Sequence, residues 1–113
     1  MSMAIAAAQR IFVYRSACDM RRSFDRLAAM VEHELKCDAM RGDYFLFMNR
    51  RGTMVKLLYW DGDGFAIWFK RLERGRFRMG TQAELDRAEL SLLLEGVQAQ
   101  GLRRLPRYKK LHR

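Results

Sequence analysis

The chain has 113 residues and a formal charge of +9, from 22 Lys and Arg against 13 Asp and Glu; half of its residues are hydrophobic and 12% aromatic. That length suits one domain burying about 65% of its unfolded surface, and the apolar content excludes a disordered coil. No apolar run reaches the roughly 18 residues of a membrane span, and the alanine-rich start lacks the charged and apolar regions of a secretory leader, so a soluble, unexported, cytoplasmic protein with no membrane partner is expected.

In chain order, residues 10–15 (with Ile11, Phe12, Val13 and Tyr14) read as a short strand, β-branched and aromatic. Residues 16–19 offer a helix start with two candidate N-caps. Met20, Phe24, Leu27, Ala28, Val31 and Leu35 then recur at steps of three and four, opposite Arg22, Asp25, Arg26 and Glu32, which predicts an amphipathic helix facing the core. Cys18 and Cys37 are too few for a disulfide framework and lack metal-ligand spacing, so reduced thiols are expected.

After a polar loop with Gly42 and Asp43, strand-like runs alternate with turn residues: 44–49, 53–60, 65–72 and 76–79, separated by Arg50-Arg51-Gly52, Asp61-Gly62-Asp63-Gly64 and Glu73-Arg74-Gly75. Short turns require antiparallel neighbours, with the early strand joining an edge. A capping-box pattern from Thr81 to Glu84 opens a second helix, with Leu85, Ala88, Leu92 and Leu93 on one side and Gly96 as its stop. The expected architecture is α+β: a single domain over 1–97, with an antiparallel meander of about four to five strands and two helices packed on it, then a basic, mobile tail over 98–113.

Charge is distributed unevenly. Residues 15–43 balance six basic against six acidic, 44–79 carry eight against three, 80–97 one against four, and 98–113 six against none. Two basic blocks thus flank an acidic one, which points to an electropositive surface and a polyanion partner.

Four blocks carry a family resemblance: DMRRSFDRLA at 19–28, GDYFLFMNRRG at 42–52, KLLYWDGDGFAIWFKRLERGRF at 56–77 and LLLEGV at 92–97. Together they resemble the small accessory protein encoded by the second open reading frame of the insertion sequence 66 family of bacterial mobile elements. That protein is TnpB-like in label, but unrelated to the longer RNA-guided nuclease that shares it. The resemblance implies participation in transposition beside a larger transposase that carries the catalytic acids. It runs from about residue 12 to 97; the stretch before Arg10 and the tail after Gln98 inherit nothing from it.

Asp61, Asp63 and Glu73 could suggest a metal site, but Asp and Gly are what a tight antiparallel turn demands. In the strands, Met54, Lys56, Leu58 and Trp60 share one face, and Ala66, Trp68, Lys70 and Leu72 share one. An exposed Trp68 beside Lys70 would suit stacking on unpaired bases, whereas a core role for Trp60 and Trp68 under the helices is the favoured alternative. Arg50, Arg51, Lys70, Arg71, Arg74, Arg76 and Arg78, at turns and strand ends, are the candidate phosphate contacts; a solvated basic rim is the plainer reading. In the tail Arg103, Arg104, Arg107, Lys109 and Lys110 would add sequence-independent, salt-labile affinity.

His33, His112, Ser23 and Ser91 sit in no catalytic context, and no glycine-rich phosphate loop precedes a helix, so no enzyme, metal or cofactor is expected. Leu90 and Leu94 fall off the main apolar side of the last helix and could dock on a protein, unless the core-facing stripe is wide. The favoured expectation is a non-catalytic accessory factor that contacts element DNA, where it would be nucleoid-associated, and engages a separate transposase. A protein-binding adaptor of the transposase, or an RNA or single-strand binder, are the alternatives.

Overall fold

The structure, a computed structural model, describes residues 8–95 and the backbone of two further short strands, Val97–Gln98 and Arg103–Arg104. Its elements are β1 (Ile11–Val13), α1 (Phe24–His33), β2 (Tyr44–Met48), β3 (Met54–Trp60), β4 (Phe65–Arg71), β5 (Glu84–Leu85), α2 (Arg87–Leu94), β6 (Val97–Gln98) and β7 (Arg103–Arg104). The first five strands form one sheet in the order β4-β3-β2-β1-β5, and β6 pairs with β7. The fold is α+β with a mostly antiparallel sheet, as the sequence implies.

Strands β2, β3 and β4 are the expected antiparallel meander, with Trp60 opposite Phe65 across the Asp61–Gly64 turn. Gly62 takes φ +83 there, and the Asp61 N–H donates to the Gly64 carbonyl at 2.8 Å. The early strand joins the β2 edge of the meander, as expected, but it runs parallel to β2 and is covered on its other side by β5. Parallel neighbours need a crossover, and α1 supplies it.

Side chains alternate between two cores. Ile11, Val13, Tyr44, Leu46, Val55, Leu57 and the half-buried Trp68 pack with Leu90, Leu93 and Leu94 of α2. Phe45, Phe47, Leu58 and the half-buried Phe12 and Ile67 pack on the other face with Leu27, Met30 and Val31 of α1. Burial on both faces explains why β2 and β3 read as nearly continuous apolar runs. Trp60 meets Phe65 edge-on at the hairpin end, with 5.0 Å between ring centroids.

The helix starts lie further along the chain than the sequence suggests. α1 begins at Phe24, not at 16–19, because residues 18–22 are held as an irregular loop. The Cys18 N–H bonds the Met48 carbonyl, and the Lys56 ammonium donates to the carbonyls of Met20 (2.8 Å) and Arg22 (2.7 Å). Similarly, Glu84 does not cap a helix. It lies in β5, where its carboxylate takes two hydrogen bonds from Arg10, and α2 starts three residues on with a reciprocal box between Asp86 and Glu89.

Residues 76–79 are not a strand. From the β4 edge the chain must reach β5 at the opposite edge, and it crosses the α2 side of the sheet, inserting Phe77 and Met79 into that core. Ala88 is exposed and Leu92 half-buried, whereas Leu90 and Leu94 are each 1% exposed, so the last two are core residues and not a docking surface. The expected stop at Gly96 lies outside the described residues. The backbone of Arg103 and Arg104 pairs antiparallel with Val97 and Gln98, within the segment read from sequence as a mobile basic tail. No helix among the described residues is long and apolar enough to cross a membrane.

Two stability outcomes follow from this packing. Leu90→Ala is expected to destabilise by about 2–5 kcal/mol in urea unfolding, as a core cavity does; an exposed docking leucine would cost close to nothing. Lys56→Met is expected to destabilise by about 1–3 kcal/mol, by stranding two carbonyls, with the denaturant slope unchanged.

Candidate nucleic-acid interface

The turn after β2 is built by Asn49. Its Oδ1 accepts from the backbone N–H groups of Thr53 (2.9 Å) and Met54 (3.0 Å), and its Nδ2 donates to Thr53 Oγ1 (3.1 Å). Gly52 completes the turn at φ +73, a conformation that disfavours side chains with a Cβ. Arg50 and Arg51 therefore stand exposed at its tip.

The chain after β4 is tied to the same turn. Leu72 N–H donates to the Thr53 carbonyl (2.8 Å) and Phe77 N–H to the Gly52 carbonyl (2.7 Å), which sets the Cβ of Arg76 3.7 Å from where a Cβ on Gly52 would stand. Buried Phe77 anchors the segment, while Arg74, Arg76 and Arg78 around it are exposed. One end of the sheet thus gathers Arg50, Arg51 and Arg76, with Arg74 in the adjoining turn. Among the described residues none of these guanidiniums, nor that of Arg78, has an ion pair or side-chain hydrogen bond.

Two of the sequence candidates are engaged elsewhere. Lys70 lies on the α2 face and donates to the Leu94 carbonyl at 2.8 Å, closing the C-terminal end of α2, where a cation is favoured. Arg71 Nε is 3.0 Å from Glu73 Oε2 on the surface. The side chains of Arg103 and Arg104, and all of Arg107, Lys109 and Lys110, lie outside the described residues. Asp61 and Asp63 are in the hairpin turn, and no three His, Cys, Asp or Glu side chains converge as a metal site among the described residues.

Beside the arginine-bearing turn opens a cleft of about 720 Å3 between the 17–22 loop, Asn49 to Arg51, Met54 and Phe69. Four arginines line it, Arg21, Arg22, Arg50 and Arg51, against one acid, Asp19. Arg22 Nη1 points back to the Met30 sulfur at 3.2 Å, and Arg21 reaches Asp19 at 2.7 Å. Burial pushes the Cys18 thiol of this cleft above its ordinary pKa, so it is held protonated and a weak nucleophile. Phe69 is 51% exposed and belongs to neither core, although Phe65 and Ile67 on the same strand face do pack inward. Lys56, its cross-strand partner, is 8% exposed and sets its ammonium over the ring, 4.9 Å from the centroid.

Sequence reasoning missed Phe69, Lys56, Arg21 and Arg22 as neighbours. The signal was available: counting back from the Trp60–Phe65 pair across a four-residue turn places Lys56 opposite Phe69 and Trp68 opposite Leu57, on the other face.

The Asp19 carboxyl is held at a pKa of about 2, first by the Arg21 side chain and then by the Arg21 backbone N–H. Since its folded value is depressed, the stabilisation it gives is complete above the ordinary value of 3.8 and is lost as pH falls through about 2. A carboxyl NMR titration is expected to place its midpoint near 2 and to move it upward in Arg21→Ala. Asp19 therefore stays ionised, and paired with Arg21, throughout neutral and mildly acidic pH.

A family model described as IS66 Orf2 like protein matches residues 9–104, which spans both the turn and the cleft. Two proteins of Sinorhizobium fredii (strain NBRC 101917 / NGR234) are also similar. The uncharacterized protein y4hO is 36% identical over 92 residues, 78% of this chain and 80% of its own length. The uncharacterized protein y4jC is 33% identical over 101 residues, 86% of each chain. No solved structure matches. With nearly the whole described fold inside the matched range, the chain belongs to the IS66 Orf2-like family.

Proposed function

We propose that the protein is a non-catalytic accessory factor of transposition, which contacts element DNA through the arginine-bearing end of its sheet and assists a separate transposase. Family membership supports the process, and the exposed guanidiniums of Arg50, Arg51, Arg74 and Arg76, unpaired among the described residues, carry the reading of DNA contact. Clustering like charges without counter-ions is unfavourable in the free protein, and a phosphate backbone relieves that repulsion while accepting bidentate bonds. The turn is held rigid by Asn49 and by the Phe77–Gly52 bond, so the arginines are presented from a fixed platform. Phosphate contact fixes position on the duplex without reading sequence, and assistance to the transposase would supply the element specificity.

The test is fluorescence anisotropy with a labelled element-end duplex and a scrambled duplex, with and without the transposase, over a range of salt. Replacing Arg50, Arg51, Arg74 and Arg76 by Ala is expected to lower the salt slope of log K by about 0.9 for each phosphate that is no longer neutralised, and to weaken both duplexes alike. An unchanged slope and affinity would remove the surface from DNA binding. Co-purification with the transposase that survives nuclease would then favour a protein-binding adaptor.

A further inference from the structure

We infer that the cleft beside Phe69 receives an unpaired nucleotide, its base stacked on the Phe69 ring and its phosphate held by Arg50 and Arg51. This deepens the DNA-contact reading and rests on it. It is carried by the juxtaposition of an outward aromatic ring with the basic turn.

Phe69 is on the edge strand, on the face that α1 covers further along at Phe65 and Ile67. α1 starts at Phe24 and stops short of this end of the sheet because the preceding carbonyls are held by Lys56. Phe69 is half exposed and has no place in either core, so its ring is open to a partner that stacks. The Lys56 ammonium lies over the ring and is fixed by two carbonyl bonds, so the platform is pre-positioned.

Charge selects the occupant. Among the described residues, the acid lining the cleft, Asp19, is already bound to Arg21, whereas Arg50 and Arg51 have no side-chain partner. An anion bearing a flat, polarisable ring system satisfies both halves of the cleft at once, which is how sequence-tolerant single-strand sites combine stacking with backbone contact. A base inside a duplex cannot present its face to Phe69, so the site distinguishes unpaired from paired nucleic acid. The cleft volume falls within the roughly 300–1,000 Å3 of small-ligand sites.

The experiment uses the full chain with a dT oligonucleotide carrying one 2-aminopurine, the matching U oligonucleotide, and a fully paired duplex. The wild type is expected to quench 2-aminopurine on binding. Phe69→Ala is expected to abolish the quench and weaken oligonucleotide binding about five- to hundredfold, with duplex affinity unchanged, and Phe69→Tyr to stay within about threefold of wild type. Circular dichroism and thermal melting check that both variants fold. A preference for the dT or the U strand says which of the two nucleic acids the site takes and supports the site either way. Equal loss on oligonucleotide and duplex, or no loss on either, overturns the stacking role. Loss of duplex binding in an Arg74→Ala, Arg76→Ala variant, which keeps the cleft residues Arg50 and Arg51, with the Phe69 effect intact would instead separate two surfaces and leave this one standing.

Discussion

The Lys56 ammonium is buried and bonded to backbone carbonyls, and much of the architecture at this end of the molecule follows from how that charge is satisfied. An uncompensated buried cation would be very costly, and three donors must find acceptors. Here the acceptors are the carbonyls of Met20 and Arg22, with the Phe69 ring as a further electron-rich neighbour. Carbonyls fixed in this way point at the sheet, so residues 18–22 run as a loop and α1 forms only from Phe24 onward. A shorter helix leaves the end of β4 uncovered, and the uncovered end is the cleft.

The other organising constraint is the parallel pairing of β1 with β2, which puts a helix crossover between them and buries the central strands on both faces. α1 occupies one face. The second helix must then close the other, and the long run from β4 to β5 crosses that face with Phe77 as its anchor. Anchoring Phe77 on one face is what ties Arg74, Arg76 and Arg78 to the turn of Arg50 and Arg51. The basic end of the sheet is therefore a consequence of core packing on the side opposite the cleft.

How much of this is legible in the sequence depends on the range of the interaction. The meander and its turns are local, and Asp61-Gly62-Asp63-Gly64 states them outright. The helix starts escape a local reading for a different reason: both Thr81–Glu84 and Asp86–Glu89 have capping-box spacing, and the pairing of β5 with β1, reinforced by the bond of Glu84 to Arg10, 74 residues away, decides between them. Leu90, Leu93 and Leu94 share the spacing of one helical face, but taking Leu85 as part of that helix rotates the expected stripe away from Leu90 and Leu94. The cleft is least legible, since it needs the register of β3 against β4 and the course of the 17–22 loop together.

Net charge alone would treat the lysines and arginines of the middle segment as one basic block, and the structure divides them by chemistry. Lys56 and Lys70, the lysines of that block, are both engaged with backbone carbonyls, one below the cleft loop and one at the end of α2. A compact ammonium on a flexible stem suits this task, because it reaches through apolar surroundings and presents separate donors to carbonyl oxygens. Of the arginines, Arg71 meets Glu73, while Arg50, Arg51, Arg74, Arg76 and Arg78 remain at the surface without side-chain partners among the described residues. A planar guanidinium matches a phosphate as an ammonium does not, so exchanging these arginines for lysine would preserve the charge and lose the bidentate geometry. Charge-preserving replacement thus tells whether the surface acts through its field alone or through the shape of its donors.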